Sequence, residues 1–271
     1  MVVRRRDALS AAAAGADIVV AASTGSAPAR VQDRGRTFVL VHGAWHGGWC
    51  WDKVSALLRQ AGHNVAAPDL PSHGRDNTPI SGVTLAAYVE RVRSVIEAQT
   101  EPVVLVGHSM AGVVITQTAE ICPEKIRCLV YLCAFLPANG ECLADWSRRD
   151  TECLLPAKRV RAQDESFSTI REDGMKKVFY ADCSDQDVER AKRLLRPQAS
   201  TPSNTPVVTT AENFGRLRRI YIETLQDRAI SSSLQRQMYL ALPCERVITM
   251  DTSHSPFFSA PETLVAHLTS L

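Results

Sequence analysis

The sequence lacks the features that would mark a membrane-spanning, nucleic-acid-binding or metal-binding protein. Its 271 residues contain no apolar run of the roughly 18 residues that a membrane-spanning helix needs. The net charge is only +2, and the arginine-rich stretches at 190–196 and 216–219 alternate with acidic residues, as on solvated helix faces. There is no internal repeat, no Cys-x-x-Cys pair and no His/Cys ligand spacing. We therefore expect no metal, no nucleic acid and no membrane span.

The most informative segment present is a buried strand that runs into a turn containing a serine. Residues 103–106 are four consecutive apolar residues, which indicates a strand buried on both faces. The hexapeptide GHSMAG follows at 107–112, and residues 113–121 favour a helix. A serine between small residues at a strand-to-helix turn is typical of the nucleophile elbow of α/β-hydrolases, with Ser109 as the nucleophile. The alternative is a glycine-rich turn whose serine has no chemical role.

An elbow serine needs an acid and a histidine base, which follow it in that order along the chain. Of the seven histidines, only His254 follows a late predicted strand and precedes a helix, so it is the candidate base. Asp227, in the loop after the strand predicted at 219–223, is the candidate acid. Glu223 lies inside that strand, and Asp251 is too close to His254 in the same loop.

The reaction also needs backbone N–H donors for the charge that develops on the carbonyl oxygen. The strand predicted at 36–41 ends in His-Gly at 42–43, and α/β-hydrolases place one donor in the turn after that strand. The expected donors of this oxyanion hole are the amides of Ala44 and Met110.

Strands and helices alternate along most of the chain, which predicts an α/β fold with a mostly parallel, doubly wound sheet. Strands are predicted at 36–41, 64–67, 103–107, 128–132, 219–223 and 246–250. Helices are predicted at 51–61, 84–99, 110–121, 231–241 and 261–270. The segment from about 134 to 214 interrupts the alternation, with apolar residues at helix-like intervals broken by prolines. This segment is expected to form a helical cap over the active site; the alternative is an ordinary surface insertion.

Several motifs together resemble the plant methylesterase and hydroxynitrile lyase group of α/β-hydrolases and its bacterial esterase relatives. They are FVLVHGAWHGGW (38–49), DLPSHG (69–74), GHSMAG (107–112), YIETLQD (221–227) and DTSH (251–254). The resemblance covers about residues 36–271 and is weakest in the middle. It implies Ser109, Asp227 and His254 as the catalytic triad, in agreement with the chain order. The implied reaction is ester hydrolysis through an acyl-enzyme, which requires no cofactor.

Two positions favour the esterase branch of this group over the lyase branch. The lyases carry threonine directly after the first motif histidine and lysine directly after the catalytic histidine. Gly43 and Ser255 occupy these positions here, so neither loop supplies a cation for a departing cyanide. Cyanohydrin cleavage remains the alternative reaction, and a non-catalytic ligand receptor on the same scaffold is the alternative class.

The partner of such an enzyme is a small-molecule ester, held in a pocket under the predicted cap. An apolar pocket is expected, which would favour small aromatic or medium-chain esters over charged ones. The residues expected to line it, besides Met110, are Trp45, Phe135, Leu136 and Trp146. The natural ester is not determined, and the sequence leaves open whether the protein is a monomer or a homodimer.

Residues 1–30 resemble an export signal, and residues 31–271 are expected to form the hydrolase domain. Arg4 to Arg6 precede an alanine- and valine-rich stretch at 8–22 and an Ala-Pro-Ala segment at 27–29, as in twin-arginine signals. The expected location is periplasmic or secreted, although Asp17 interrupts the apolar stretch. The alternative is an uncleaved, disordered leader on a cytoplasmic protein. Eight cysteines, an even number, would suit disulfides after export, but their pairing cannot be deduced.

Overall fold

The computed structural model describes residues 35–271, and the leader predicted at 1–30 lies outside them. Among the described residues, the strands are β1 (Thr37–Val41), β2 (Asn64–Ala66), β3 (Val103–His108), β4 (Ile126–Leu132), β5 (Arg159–Arg161), β6 (Phe167–Ile170), β7 (Gln198–Ala199), β8 (Arg219–Thr224) and β9 (Arg246–Met250). The α-helices are α1 (Asp52–Gln60), α2 (Leu85–Glu97), α3 (Ala111–Ile121), α4 (Leu143–Ser147), α5 (Glu172–Phe179), α6 (Asp185–Leu194), α7 (Thr201–Asn204), α8 (Ser232–Ala241), α9 (Pro256–Ser259) and α10 (Pro261–Thr269).

The core of the fold is a six-stranded parallel sheet in the order β2-β1-β3-β4-β8-β9. Every residue of β1 and β3 is buried, as their continuous apolar sequences predict for strands covered on both faces. Right-handed crossovers in this strand order place α1 on one face and α2 and α3 on the other. In agreement, α1 packs against α10, and α2 packs against α3.

The predicted α/β fold with a doubly wound sheet is confirmed, with small shifts at the ends of elements. The strand predicted from residue 128 begins at Ile126, and the last helix is preceded by the separate short helix α9. Because the strands are parallel, the loops after β1, β3, β8 and β9 all leave the same edge of the sheet. That edge therefore collects the loops that carry the candidate catalytic residues.

The insertion between β4 and β8, residues 133–218, contains more than the predicted helices. Besides α4 to α7 it holds a three-stranded antiparallel sheet, in the order β5-β6-β7. The sequence did not reveal these strands because they are only two to four residues long, too short for an alternating pattern to be recognised. The insertion reaches the loop after β1, where the Trp45 indole N–H donates to the carbonyl oxygen of Ser168 at 3.0 Å.

Two expectations drawn from composition can be compared with the described residues. All eight cysteines lie within residues 35–271, and each is a free thiol, so the disulfides that their even number suggested are absent here. Six of these thiols are buried, as is common for free cysteines, which pack as small and largely apolar side chains. Within the same residues, no helix is both long and apolar enough to cross a bilayer.

Candidate active site

Ser109 lies in a strained turn between β3 and α3, as the elbow motif predicted. Its φ of +56° is in the left-handed region, which a serine adopts only when the surrounding structure enforces it. The Ser109 amide donates to the Leu132 carbonyl at 3.2 Å, and the Phe135 amide donates to the Ser109 carbonyl at 3.1 Å. At Gly112 an added Cβ would lie 1.8 Å from the Phe135 carbonyl oxygen, so this position excludes every side chain. Because Gly112 has no side chain, the first turn of α3 can pack directly against the Phe135 backbone, two residues after the start of the turn at Met110.

Asp227 and His254 are brought together from the loops after β8 and β9. The His254 Nδ1 lies 2.7 Å from the Asp227 Oδ2, and both side chains are almost completely buried. The Asp227 Oδ1 accepts from the backbone amides of Ala229 and Ile230 at 2.7 and 2.9 Å. These bonds orient the carboxylate so that its other oxygen faces the imidazole.

Two further side chains make contact with the aspartate on the same oxygen that faces His254. The Thr224 hydroxyl donates to the Asp227 Oδ2 at 3.1 Å, and the Gln235 amide donates to it at 3.3 Å. Asp227 therefore accepts five hydrogen bonds in total, including the one from His254. Asp251, the rival acid in the sequence, is exposed and accepts only from the Gln226 side chain at 2.8 Å.

His108 directly precedes the nucleophile. The sequence suggested only a packing role for it, and the structure adds a hydrogen bond. Its Nε2 lies 2.9 Å from the backbone carbonyl oxygen of His254 and must donate, because a carbonyl oxygen only accepts. Burial holds the pKa of His108 well below its usual value, with a smaller contribution from the charge of His254. A neutral His108 with its proton on Nε2 thus holds the loop that carries His254.

His108, Cys133 and His254 are the only group of metal-type ligands close enough to share an ion among the described residues. The Cys133 thiol donates to the same His254 carbonyl at 3.5 Å, and burial raises its pKa well above the usual value. A protonated thiol and two hydrogen-bonded imidazoles make a poor ligand set, since metal binding requires a thiolate and free ring nitrogens. This group stabilises the histidine loop through hydrogen bonds.

The remaining histidines near the site are buried structural residues. His42, His46 and His73 are each hydrogen-bonded to a backbone carbonyl within two residues of their own position. Burial is the main reason that the pKa of each is lowered, to about 4 for His46. The His46 Nε2 also accepts from the Tyr180 hydroxyl of the insertion at 2.7 Å. These neutral rings therefore contribute to packing around the loop after β1.

The two backbone amides predicted for the oxyanion hole are both placed beside Ser109. Ala44 and Met110 line the same cavity as the serine. Neither amide donates to any acceptor within residues 35–271, although nearly all buried N–H groups of proteins are paired. Two unpaired donors next to a strained serine provide a place for a negatively charged oxygen.

The cavity above Ser109 has a volume of about 200 Å³, and the insertion supplies most of its walls. Trp45 and Phe135 line it as predicted, but Leu136 and Trp146 do not. Leu136 is fully buried, and its backbone amide donates to the Met238 sulfur at 3.5 Å. The Trp146 indole donates to Glu141 at 2.8 Å and lies 4.3 Å from the guanidinium of Arg149, so α4 presents other residues to the cavity.

The cavity is more polar than the apolar pocket that the sequence suggested. Arg148, Arg159 and Arg161 line it, and none of its described lining residues is acidic. The sequence expectation rested on residues near the loops, whereas most of the cavity walls come from the insertion. One feature of the sequence could have indicated the basic wall. In a strand with the sequence Arg-Val-Arg, the alternation of side chains puts both arginines on the same face.

The fold and the site together define a hydrolase class, and the comparison with known sequences agrees. Residues 38–267 match the model of the alpha/beta hydrolase family, and this chain belongs to that family. The predicted resemblance to plant methylesterases and bacterial esterases is likewise confirmed.

Particular relatives come from both plants and bacteria. The chain is 34% identical over 239 residues to putative methylesterase 11, chloroplastic, of Arabidopsis thaliana; the match covers 84% of this chain but only 61% of that protein. It is 31% identical over 237 residues to the pyrethroid hydrolase of Sphingobium wenxiniae, covering 83% of this chain and 84% of the relative. The crystal structure of a pyrethroid hydrolase from Sphingobium faniae superimposes with a TM-score of 0.79 at 28% identity, covering 87% and 96% of the two chains.

Proposed function

We propose that this protein is a serine carboxylesterase in which Ser109, His254 and Asp227 form the catalytic triad. The observation that carries the proposal is the 2.7 Å contact between Asp227 and His254, which are 27 residues apart. It is supported by the strained φ of +56° at Ser109 and by the hydrogen bond from the adjacent His108 to the His254 carbonyl. The amides of Ala44 and Met110 act as the oxyanion hole in this proposal. The family and its esterase members support the same reaction.

The hydrogen bond to Asp227 determines which ring nitrogen of His254 acts as the base. A carboxylate only accepts, so the proton lies on Nδ1 and Nε2 is free to take the proton of the Ser109 hydroxyl. The serine oxygen then attacks the ester carbonyl, and the amides of Ala44 and Met110 stabilise the resulting oxyanion. His254 returns the proton to the departing alcohol, and a water molecule releases the acid from the acyl-enzyme by the same steps.

The insertion acts as a cap in this proposal. It provides most of the cavity walls, and it contacts the loop after β1 through Trp45. A second contact, from the Arg196 amide to the Trp45 carbonyl at 2.9 Å, ties the end of α6 to the same loop. A wall built by the insertion explains how a common triad can serve a particular ester.

The surroundings of Gly43 favour hydrolysis over cyanohydrin cleavage. A Cβ added at Gly43 would lie 2.8 Å from the His108 Nδ1 and 2.9 Å from the Ser109 Cβ. The threonine that the lyases carry at this position would therefore displace the nucleophile or the histidine behind it. Ser255 follows His254 with a buried, neutral hydroxyl, so no cation is available at that point for a leaving cyanide.

The test compares Ser109→Ala with Ser94→Ala, which makes the same change at an exposed serine of α2 outside the cavity. With p-nitrophenyl acetate, we expect Ser109→Ala to lose on the order of 10⁴-fold in kcat, because removal of one member of a triad disables the whole unit. Ser94→Ala should stay within a few-fold of the wild type. More than a few per cent of activity in folded Ser109→Ala would exclude it as the nucleophile.

A second measurement separates the two reactions. We expect no release of cyanide from mandelonitrile above the uncatalysed rate. Cyanide release that disappears in Ser109→Ala would replace hydrolysis by lyase chemistry at the same site.

A further inference from the structure

The three arginines of the cavity differ in whether their charge is already paired. Arg148 lies 2.6 Å from the Asp145 carboxylate, and Arg161 lies 4.0 Å from that of Glu165. The guanidinium of Arg159 has no ion pair and no hydrogen bond with any part of the chain that the structure describes. One positive charge at the cavity wall is therefore left without a partner.

Arg159 is held in place by its strand, and it is partly withdrawn from water. It begins β5, where it pairs with Ile170 of β6 in the antiparallel sheet of the insertion. Its side chain is half-buried, and this burial together with the charge of Arg161 lowers the pKa of Arg159. A guanidinium stays protonated at neutral pH despite such a shift. A charge that is partly dehydrated and unpaired is unfavourable unless a ligand completes it.

The walls of the cavity that Arg159 lines offer hydrogen-bond donors and no competing anion. The hydroxyls of Ser147 and Ser203 line the same cavity and make no hydrogen bond with the rest of residues 35–271. With no acidic residue among the described lining, an anion that enters the cavity meets no like charge. A single unpaired arginine matches a single negative charge, and its planar fork matches the two oxygens of a carboxylate.

We infer that the natural substrate carries a free carboxylate in addition to its ester group, and that Arg159 binds this carboxylate. The inference rests on the proposed function, because it names the substrate class of the same site. Arg159 is then a specificity-determining residue that contacts a part of the substrate away from the scissile bond. Its contribution is the same in the ground state and the transition state, so it should act mainly on KM.

The test uses two pairs of esters that differ only by a carboxylate in place of a methyl group. Monomethyl adipate is compared with methyl hexanoate, which places the charge in the acyl part. Then 4-acetoxybenzoate is compared with 4-methylphenyl acetate, which places the charge in the alcohol part. At pH 7.5 we expect the wild type to prefer the charged member of at least one pair by about tenfold to a hundredfold in kcat/KM, as a charge-assisted hydrogen bond provides.

Three variants show whether Arg159 causes the preference. Arg159→Met should lose it, mainly through a higher KM for the charged ester, with less than a threefold change for the neutral one. Arg159→Lys should restore part of it. Arg127→Met removes the same charge from an exposed residue of β4, outside the cavity, and should keep the preference.

The inference fails if the wild type prefers the neutral member of both pairs, or if Arg159→Met slows charged and neutral esters equally. It also fails if Arg127→Met removes the preference as completely as Arg159→Met does. In each of these cases the proposed function would still stand, provided that neutral esters are hydrolysed and that this hydrolysis requires Ser109. Activity that survives in Ser109→Ala would instead overturn the proposed function.

Discussion

Replacement of Asp227 by asparagine should reduce catalysis far more than stability, and the hydrogen bonds around the carboxylate explain why. Oδ1 accepts from two backbone amides at 2.7 and 2.9 Å. An asparagine NH₂ placed there would face two donors, each left unsatisfied at a cost of about 1–3 kcal/mol. The asparagine oxygen will therefore keep this position, and the NH₂ group will take the position of Oδ2.

In that orientation the NH₂ group faces the His254 Nδ1, which lies 2.7 Å from the oxygen it replaces. Nδ1 must then accept a hydrogen bond, so the imidazole proton moves to Nε2. A protonated Nε2 cannot take the proton of Ser109, and the neutral amide does not stabilise an imidazolium. We expect kcat to fall about 10⁴-fold, equivalent to about 5 kcal/mol in the activation barrier. Only the 3.3 Å bond from Gln235 is lost outright, so the free energy of unfolding should fall by no more than about 1–3 kcal/mol.

The assay is the hydrolysis of p-nitrophenyl acetate at pH 7.5, with urea denaturation as the measure of stability. Asp251→Asn is the matched control, because it makes the same chemical change in an exposed carboxylate that contacts Gln226 and not His254. We expect this control to retain nearly full activity. The reasoning is refuted if Asp227→Asn keeps more than about 1% of kcat, or if Asp251→Asn is equally impaired.

Three other outcomes follow from the structure. Gly112→Ala should give little folded protein, because its Cβ would meet the Phe135 carbonyl oxygen at 1.8 Å, whereas Ala111→Gly should stay soluble and active; equal soluble yields of the two variants would contradict this. The protein should lose stability as the pH falls from about 6.5 towards 4, because its histidines take up protons in the unfolded chain but stay neutral when buried in the fold. With a pKa of about 4, His46 alone lowers the free energy of unfolding by about 2 kcal/mol at pH 5, which urea titrations would measure. His46→Gln should show a shallower dependence on pH, and an unchanged slope would count against the assignment. Finally, the chain unfolded in guanidinium without reductant should titrate eight thiols with a thiol reagent; fewer would reveal disulfides.

The sequence by itself was sufficient for the parallel sheet and for the candidate triad. Strands such as β3 are continuous apolar runs whose length and flanking turns are local signals, and each predicted strand of the sheet is present. The triad could be proposed because the elbow motif is short and contiguous, and because the order of serine, acid and histidine along the chain restricts the choice. Both inferences depend on local motifs and on their order along the chain, and neither needs a contact between distant residues to be known.

Only the tertiary structure decided what the cavity contains. The predicted residues Leu136 and Trp146 do not line it: Leu136 is fully buried, and the Trp146 indole donates to Glu141. Trp45 meets Ser168 across 123 residues, a contact that no local pattern encodes. The same is true of Arg159, because the sequence does not show which arginines form ion pairs. Its lack of a partner follows from where the short strands of the insertion place it against the rest of the fold.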